Sequence, residues 1–93
     1  MALLSDAQIE QHLDGSAWRR EGDAIVLDLQ LADFAAAIAL VARVAEVAEA
    51  ANHHPDILVH DWNKLRLTLS THSEGGLTEA DFALAERLDR LLP

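Results

Sequence analysis

The strongest constraint on the fold is the segment spanning residues 32–51. It contains no Gly and no Pro, and it is built mostly from Ala, Leu, Val and Ile. That composition favours a helix over any other element. Asp33 stands in the first turn, where the helix dipole favours an anion. The first half, residues 34–42, is apolar all round and carries no charge. A helix of that kind needs cover on more than one side. The whole chain has only 93 residues, so it should bury roughly 60–65% of its unfolded surface. A sheet can cover one side of the helix. A second copy of the chain is the expected cover for the other.

The rest of the chain is cut into short pieces by turn signals at Asp14-Gly15-Ser16, Glu21-Gly22-Asp23, His54-Pro55-Asp56 and Gly75-Gly76. Ser5 reads as an N-cap, and Ile9 and Leu13 share a face, which predicts a helix over Asp6–Leu13. Trp18 to Glu21 leads into Gly22-Asp23, after which Ile25, Leu27 and Leu29 alternate with Val26, Asp28 and Gln30. This predicts a β-hairpin with one buried face. Pro55 ends the long helix and pushes His54 into an extended conformation. Ile57-Leu58-Val59 reads as a strand, Trp62-Asn63 as a turn, and Leu65, Leu67 and Leu69 as the inward face of another strand. Thr78, with Asp81 three residues on, predicts a capped helix reaching about residue 92. The expected order is α-β-β-α-β-β-α. It forms one α+β domain over residues 1–93, a two-layer sandwich with a four-stranded antiparallel sheet and its helices on one face.

Composition narrows the function. Cysteine is absent, so there is no disulfide framework, thiolate metal site or thiol nucleophile. The net charge of −9 argues against nucleic acid as a partner. The start of the chain lacks the basic and apolar regions of a signal peptide, and no apolar run approaches the ~20 residues needed to span a bilayer. A cytoplasmic protein without a membrane partner is the expectation.

Three of the five histidines fall in two short stretches, Glu49-Ala50-Ala51-Asn52-His53-His54-Pro55 and Ser70-Thr71-His72. Glu49 and His53 are four apart, so on a continuing helix they share a face and the carboxylate orients the ring. A helix C-terminus also suits a proton-carrying imidazole, and histidine is the usual acid–base residue near neutral pH. A His-His pair at a helix end is also a common C-terminal signal. His53, His54, His72 and Glu49 have zinc-compatible chemistry, but adjacent residues rarely converge on one ion and no His-x-x-x-His pair exists. His12 and His60 read as surface residues, Asp81 as a helix cap, and Trp18 and Trp62 as core or rim anchors.

Glu49-x-x-x-His53-His54-Pro55, then Trp62, then Ser70-Thr71-His72, then Asp81 resembles the signature of the pterin-4a-carbinolamine dehydratases. Trp18 before its Gly-Asp turn, Asp33-Phe34, Asn63-Lys64 and Gly75-Gly76-Leu77-Thr78 are similar to family positions too, so the resemblance covers nearly the whole chain. One departure is visible. Six residues separate Pro55 from Trp62, where the family pattern has five, and the extra residue is expected near His60-Asp61. The resemblance implies dehydration of a 4a-hydroxytetrahydropterin to the quinonoid dihydropterin, in tetrahydropterin recycling, with no metal or redox cofactor. It implies His53, His54 and His72 as the catalytic set. His53 and His72 would transfer protons, and His54 would mainly bind and orient the pterin. Glu49 would hold His53. Pro55 and Thr71 would line the pocket, Trp18 would wall it, and Asp81 would support it. The apolar long helix adds the expectation of a homodimer or homotetramer, through that helix or a sheet edge. Some animal relatives act as dimerisation cofactors for a transcription factor, so an interaction module or a non-catalytic pterin binder are the alternatives.

Overall fold

The computed structural model describes residues 2–92; Met1 and Pro93 lie outside the described residues. Its elements are α1 (Asp6–Leu13), β1 (Arg19–Glu21), β2 (Ala24–Gln30), α2 (Phe34–Ala51), β3 (Asp56–His60), β4 (Lys64–Leu69) and α3 (Glu79–Asp89). The expected α-β-β-α-β-β-α order is therefore present. Two details differ. Asp33 is the N-cap of α2 rather than part of its first turn, and its side chain accepts the Ala36 N–H at 2.8 Å. The last helix stops at Asp89, and tighter bonds from Leu91 N to Leu88 O and from Leu92 N to Asp89 O close its end.

All strand pairings are antiparallel, in the order β1-β2-β4-β3. The two hairpins join along their inner strands, with Ile25 opposite Leu69, Leu27 opposite Leu67 and Leu29 opposite Leu65. Because side chains alternate across a strand, these residues form one apolar face. That face packs with Ile9 of α1, Leu40 and Val44 of α2, and Phe82, Leu84 and Leu88 of α3 in a single core cluster. The three helices thus cover the same side of the sheet. Val26 lies on the other side and is still buried, between Arg19 and Thr68 on the neighbouring strands.

The β3–β4 ladder runs through five consecutive pairs from Asp56↔Thr68 to His60↔Lys64 without a bulge. The turn at 61–63 joins these strands, and there Asp61 and Trp62 both have left-handed backbone, with φ of 45° and 56°. Asn63 anchors this turn. Its backbone O accepts Leu31 N–H at 2.8 Å, and its side-chain amide donates to Leu31 O at 2.9 Å.

Along α2, Ala37, Leu40, Val44 and Ala48 form the buried stripe. Flanking that stripe, Phe34 and Ile38 remain 54% and 44% exposed. One side of the helix is thus covered by its own chain and the other is not.

On the open face of the sheet, Asp28 sits between Arg66, at 2.8 Å, and Arg19, at 2.6 Å. These hydrogen bonds, Arg66's foremost, hold the Asp28 carboxyl below its ordinary value of 3.8. A carboxylate stabilised in this way strengthens the fold above the usual carboxylate range, and that contribution disappears as acid protonates it. Asp28→Asn should therefore lower the melting temperature slightly at neutral pH. The gap to the parent should close as the pH falls below about 4, and it should also shrink in high salt. Thermal melts across pH and salt check both.

Candidate active site

The C-terminus of α2, the end of β4 and the N-terminus of α3 meet at one point. Each arrives there for a local reason. Asn52 caps α2 in the left-handed region, with φ 51° and ψ 40°, and its N–H turns back to Ala48 O and Glu49 O. Asn tolerates that conformation better than most residues. The chain then leaves the helix axis, carrying His53, His54 and Pro55 away from it. Beyond β4, Thr71 bridges Gly76, with Thr71 N donating to Gly76 O at 2.9 Å. The excursion between them forms a 3-10 turn, His72–Glu74, closed by left-handed Gly75. Thr78 and Asp81 form the capping box of α3.

At the meeting point His53 Nε2 lies 2.6 Å from Asp81 Oδ1. Asp81 Oδ2 accepts the Thr71 hydroxyl at 2.8 Å and the Thr78 N–H at 2.9 Å. The Thr71 and Thr78 hydroxyls are 2.8 Å apart. Asp81 and Thr78 are completely buried and Thr71 nearly so, while the His53 side chain keeps 18% exposure. A buried carboxylate is tolerable only when paired and fully hydrogen-bonded, and these three donors satisfy that condition.

Two expectations need correction. Glu49 does not hold His53; it reaches His54, with Oε2 2.8 Å from Nε2, on the exposed surface. The i, i+4 rule holds only along a continuing helix, and Asn52 breaks the helix one residue before His53. The partner of His53 is Asp81, 28 positions away, which caps its helix with one oxygen and holds the ring with the other. Trp18 is the second correction. It is 3% exposed and sits in the core, its Nε1 donating to Asp89 Oδ1 at 2.8 Å, so it offers no open face to a ligand.

His72 is exposed and lines a cavity of about 340 Å³ with Asp23, Ala24, Asp56, Thr68, Ser70 and Gly75. It stands next in sequence to Thr71, whose hydroxyl is in the buried cluster. Pro55, expected to line the pocket, is half-buried and joins His54 to β3. A cavity of about 440 Å³ beside α1 and α3 contains none of the expected site residues; there His12 stacks on Phe82 at 4.4 Å. Among the described residues no group of three or more histidines and carboxylates is placed to hold one metal ion. Thr78 was legible in sequence only as a cap. No local pattern pointed to its hydroxyl contact with Thr71.

The fold and the cluster define a small α+β domain in which a buried carboxylate holds an imidazole at the domain surface. Residues 2–91 match the family model for pterin 4 alpha carbinolamine dehydratase, and the chain belongs to that family. A relative from Roseiflexus castenholzii, provisionally named a pterin-4-alpha-carbinolamine dehydratase, is 51% identical over 98% of both chains. One from Nocardia farcinica with the same provisional name is 54% identical, covering 96% of this chain and 94% of its own. The crystal structure of a transcriptional coactivator/pterin dehydratase from Brucella melitensis superposes with a TM-score of 0.89 at 29% identity, covering 97% of this chain and 98% of the other. A pterin dehydratase-like protein identified as a RuBisCO assembly factor in the alpha-carboxysome superposes at 0.68 with 26% identity, over 81% of this chain and 88% of its own.

Asp81→Asn keeps the shape of the side chain but sets an amide N–H against one of the donors. Leaving a buried donor unmatched costs about 1–3 kcal/mol. Urea denaturation should show a loss of that size, and an unchanged midpoint would mean that the cluster does not stabilise the fold.

Proposed function

We propose that this chain dehydrates a 4a-hydroxytetrahydropterin to the quinonoid dihydropterin. The observation that carries the reading is the part-buried hydrogen bond between His53 and Asp81, made by residues at the family's motif positions in a chain that belongs to the family. The reaction breaks the C4a–O bond, forms a double bond between N5 and C4a, and moves the N5 proton away. An acid must serve the leaving oxygen and a base the nitrogen, and water is the by-product. Two imidazoles can supply both. His53 and His72 are the proton-transfer pair in this reading. His54, steadied by Glu49, binds and orients the pterin, and Pro55 lies beside it. No metal or redox cofactor takes part, and the setting is tetrahydropterin recycling in the cytoplasm, with residues 1–93 acting as one domain. No helix among the described residues is long and apolar enough to cross a membrane.

His53→Ala and His72→Ala should each lower the dehydration rate about 10²–10⁴-fold while pterin binding persists. Stopped-flow measurement with a freshly generated carbinolamine checks this. Parent rates in both variants would remove the pair from the mechanism.

The open side of α2 supports a second part of the proposal, self-association into a dimer or tetramer. Phe34 and Ile38 stand exposed in a row of alanines, and edge strand β3 exposes Ile57 and Leu58. Solved neighbours named as a transcriptional coactivator/pterin dehydratase and as a RuBisCO assembly factor support a reading in which this fold also makes protein contacts. Sedimentation equilibrium should find an oligomer for the parent chain and a monomer for Ile38→Glu. A monomeric parent at micromolar concentration would overturn this part.

A further inference from the structure

Hydrogen bonds in the buried cluster have a fixed direction. A hydroxyl carries one proton. Thr71 donates its proton to Asp81 Oδ2, so at the 2.8 Å contact between the two hydroxyls Thr78 donates and Thr71 accepts. Thr78 Oγ1 in turn accepts the Ala80 N–H at 3.2 Å. A backbone N–H cannot reverse its role, so the chain of donors runs one way, from the start of α3 through Thr78 and Thr71 to Asp81. The Thr78 N–H adds a second fixed donor on the same oxygen. Oδ2 therefore accepts twice and carries no proton; with the carboxylate ionised Oδ1 accepts too, and at 2.6 Å His53 Nε2 is its donor. Its other nitrogen, Nδ1, has no partner among the described residues, on a side chain with 18% of its surface open.

We infer that His53 keeps Nε2 protonated on Asp81 in both of its charge states, leaving Nδ1 as its only exchangeable nitrogen, and that Thr71 and Thr78 are the positioning residues that enforce this. The inference deepens the proposed reaction and rests on it for its catalytic meaning. If His53 acts as the base, its Nδ1 lone pair takes the N5 proton. The N–H electron pair then becomes the new bond to C4a as the C4a–O bond breaks and His72, the acid of the pair, protonates the departing oxygen to water. If it acts as the acid, the Nδ1 proton of the imidazolium goes to the departing oxygen, which leaves as water. In either direction one proton crosses at Nδ1 and none crosses at Nε2.

¹⁵N NMR of the histidine-labelled chain reads this directly. Between about pH 5 and 9, a range spanning the usual charge change of histidine, Nε2 of His53 should stay protonated while Nδ1 alone gains and loses its proton. In Thr71→Val the lock should loosen. A mixture of tautomers should appear at high pH, and kcat should fall about 10-fold or more through misplacement of the ring. Thr71→Ser should restore both. A parent spectrum with the proton on Nδ1 and a bare Nε2 overturns the inference, and that reading stands even if Thr71→Val does not fold. A folded Thr71→Val with one tautomer and parent kcat overturns the role of Thr71. A parent chain with the expected tautomer but no dehydration supports the lock and overturns the functional reading.

Discussion

A carboxylate with no access to water must take every hydrogen bond from the protein, and Asp81 is such a group. Its three donors come from three places: the turn after α2, the second residue past β4, and the residue before α3. None of these segments is close to both others in sequence. Satisfying Asp81 therefore fixes the two ends of the helical layer against the end of the sheet. The same requirement orients His53 at the domain surface. A group costly to bury is thus both a structural joint and the means of aiming an imidazole.

The rest of the fold supplies the frame. β2 and β4, the two inner strands, present an unbroken apolar face to all three helices. The outer face is polar, with Asp28 tied to an arginine on each neighbouring strand. One layer of helices leaves Phe34 and Ile38 of α2 exposed beside its buried stripe. An interface at this surface would complete the burial that the single chain lacks.

Much of the architecture was legible in sequence because it rests on local rules. Alternation of Leu65, Leu67 and Leu69 needs only the period of a strand. Ser5 and Thr78 announce helix starts through short-range bonds to nearby backbone N–H groups. Errors arose where a local rule met a local break. Spacing paired Glu49 with His53, and left-handed Asn52 transferred that partner to His54. The family resemblance made Trp18 a pocket wall, yet it is buried in the core, and its indole N–H bonds Asp89, 71 residues away.

By itself the sequence determined the element order, the long helix and its stopping point, the family likeness, and the chemistry available at the site: imidazole and carboxylate without thiol. These depend on periodicity, capping and residue type, which act over a few positions. Only the tertiary structure decided which carboxylate holds which histidine, that Thr78 joins the cluster, and that Trp18 lies in the core rather than at its rim. Such pairings depend on where separate elements come together once the apolar face is buried, and no short-range pattern encodes that distance.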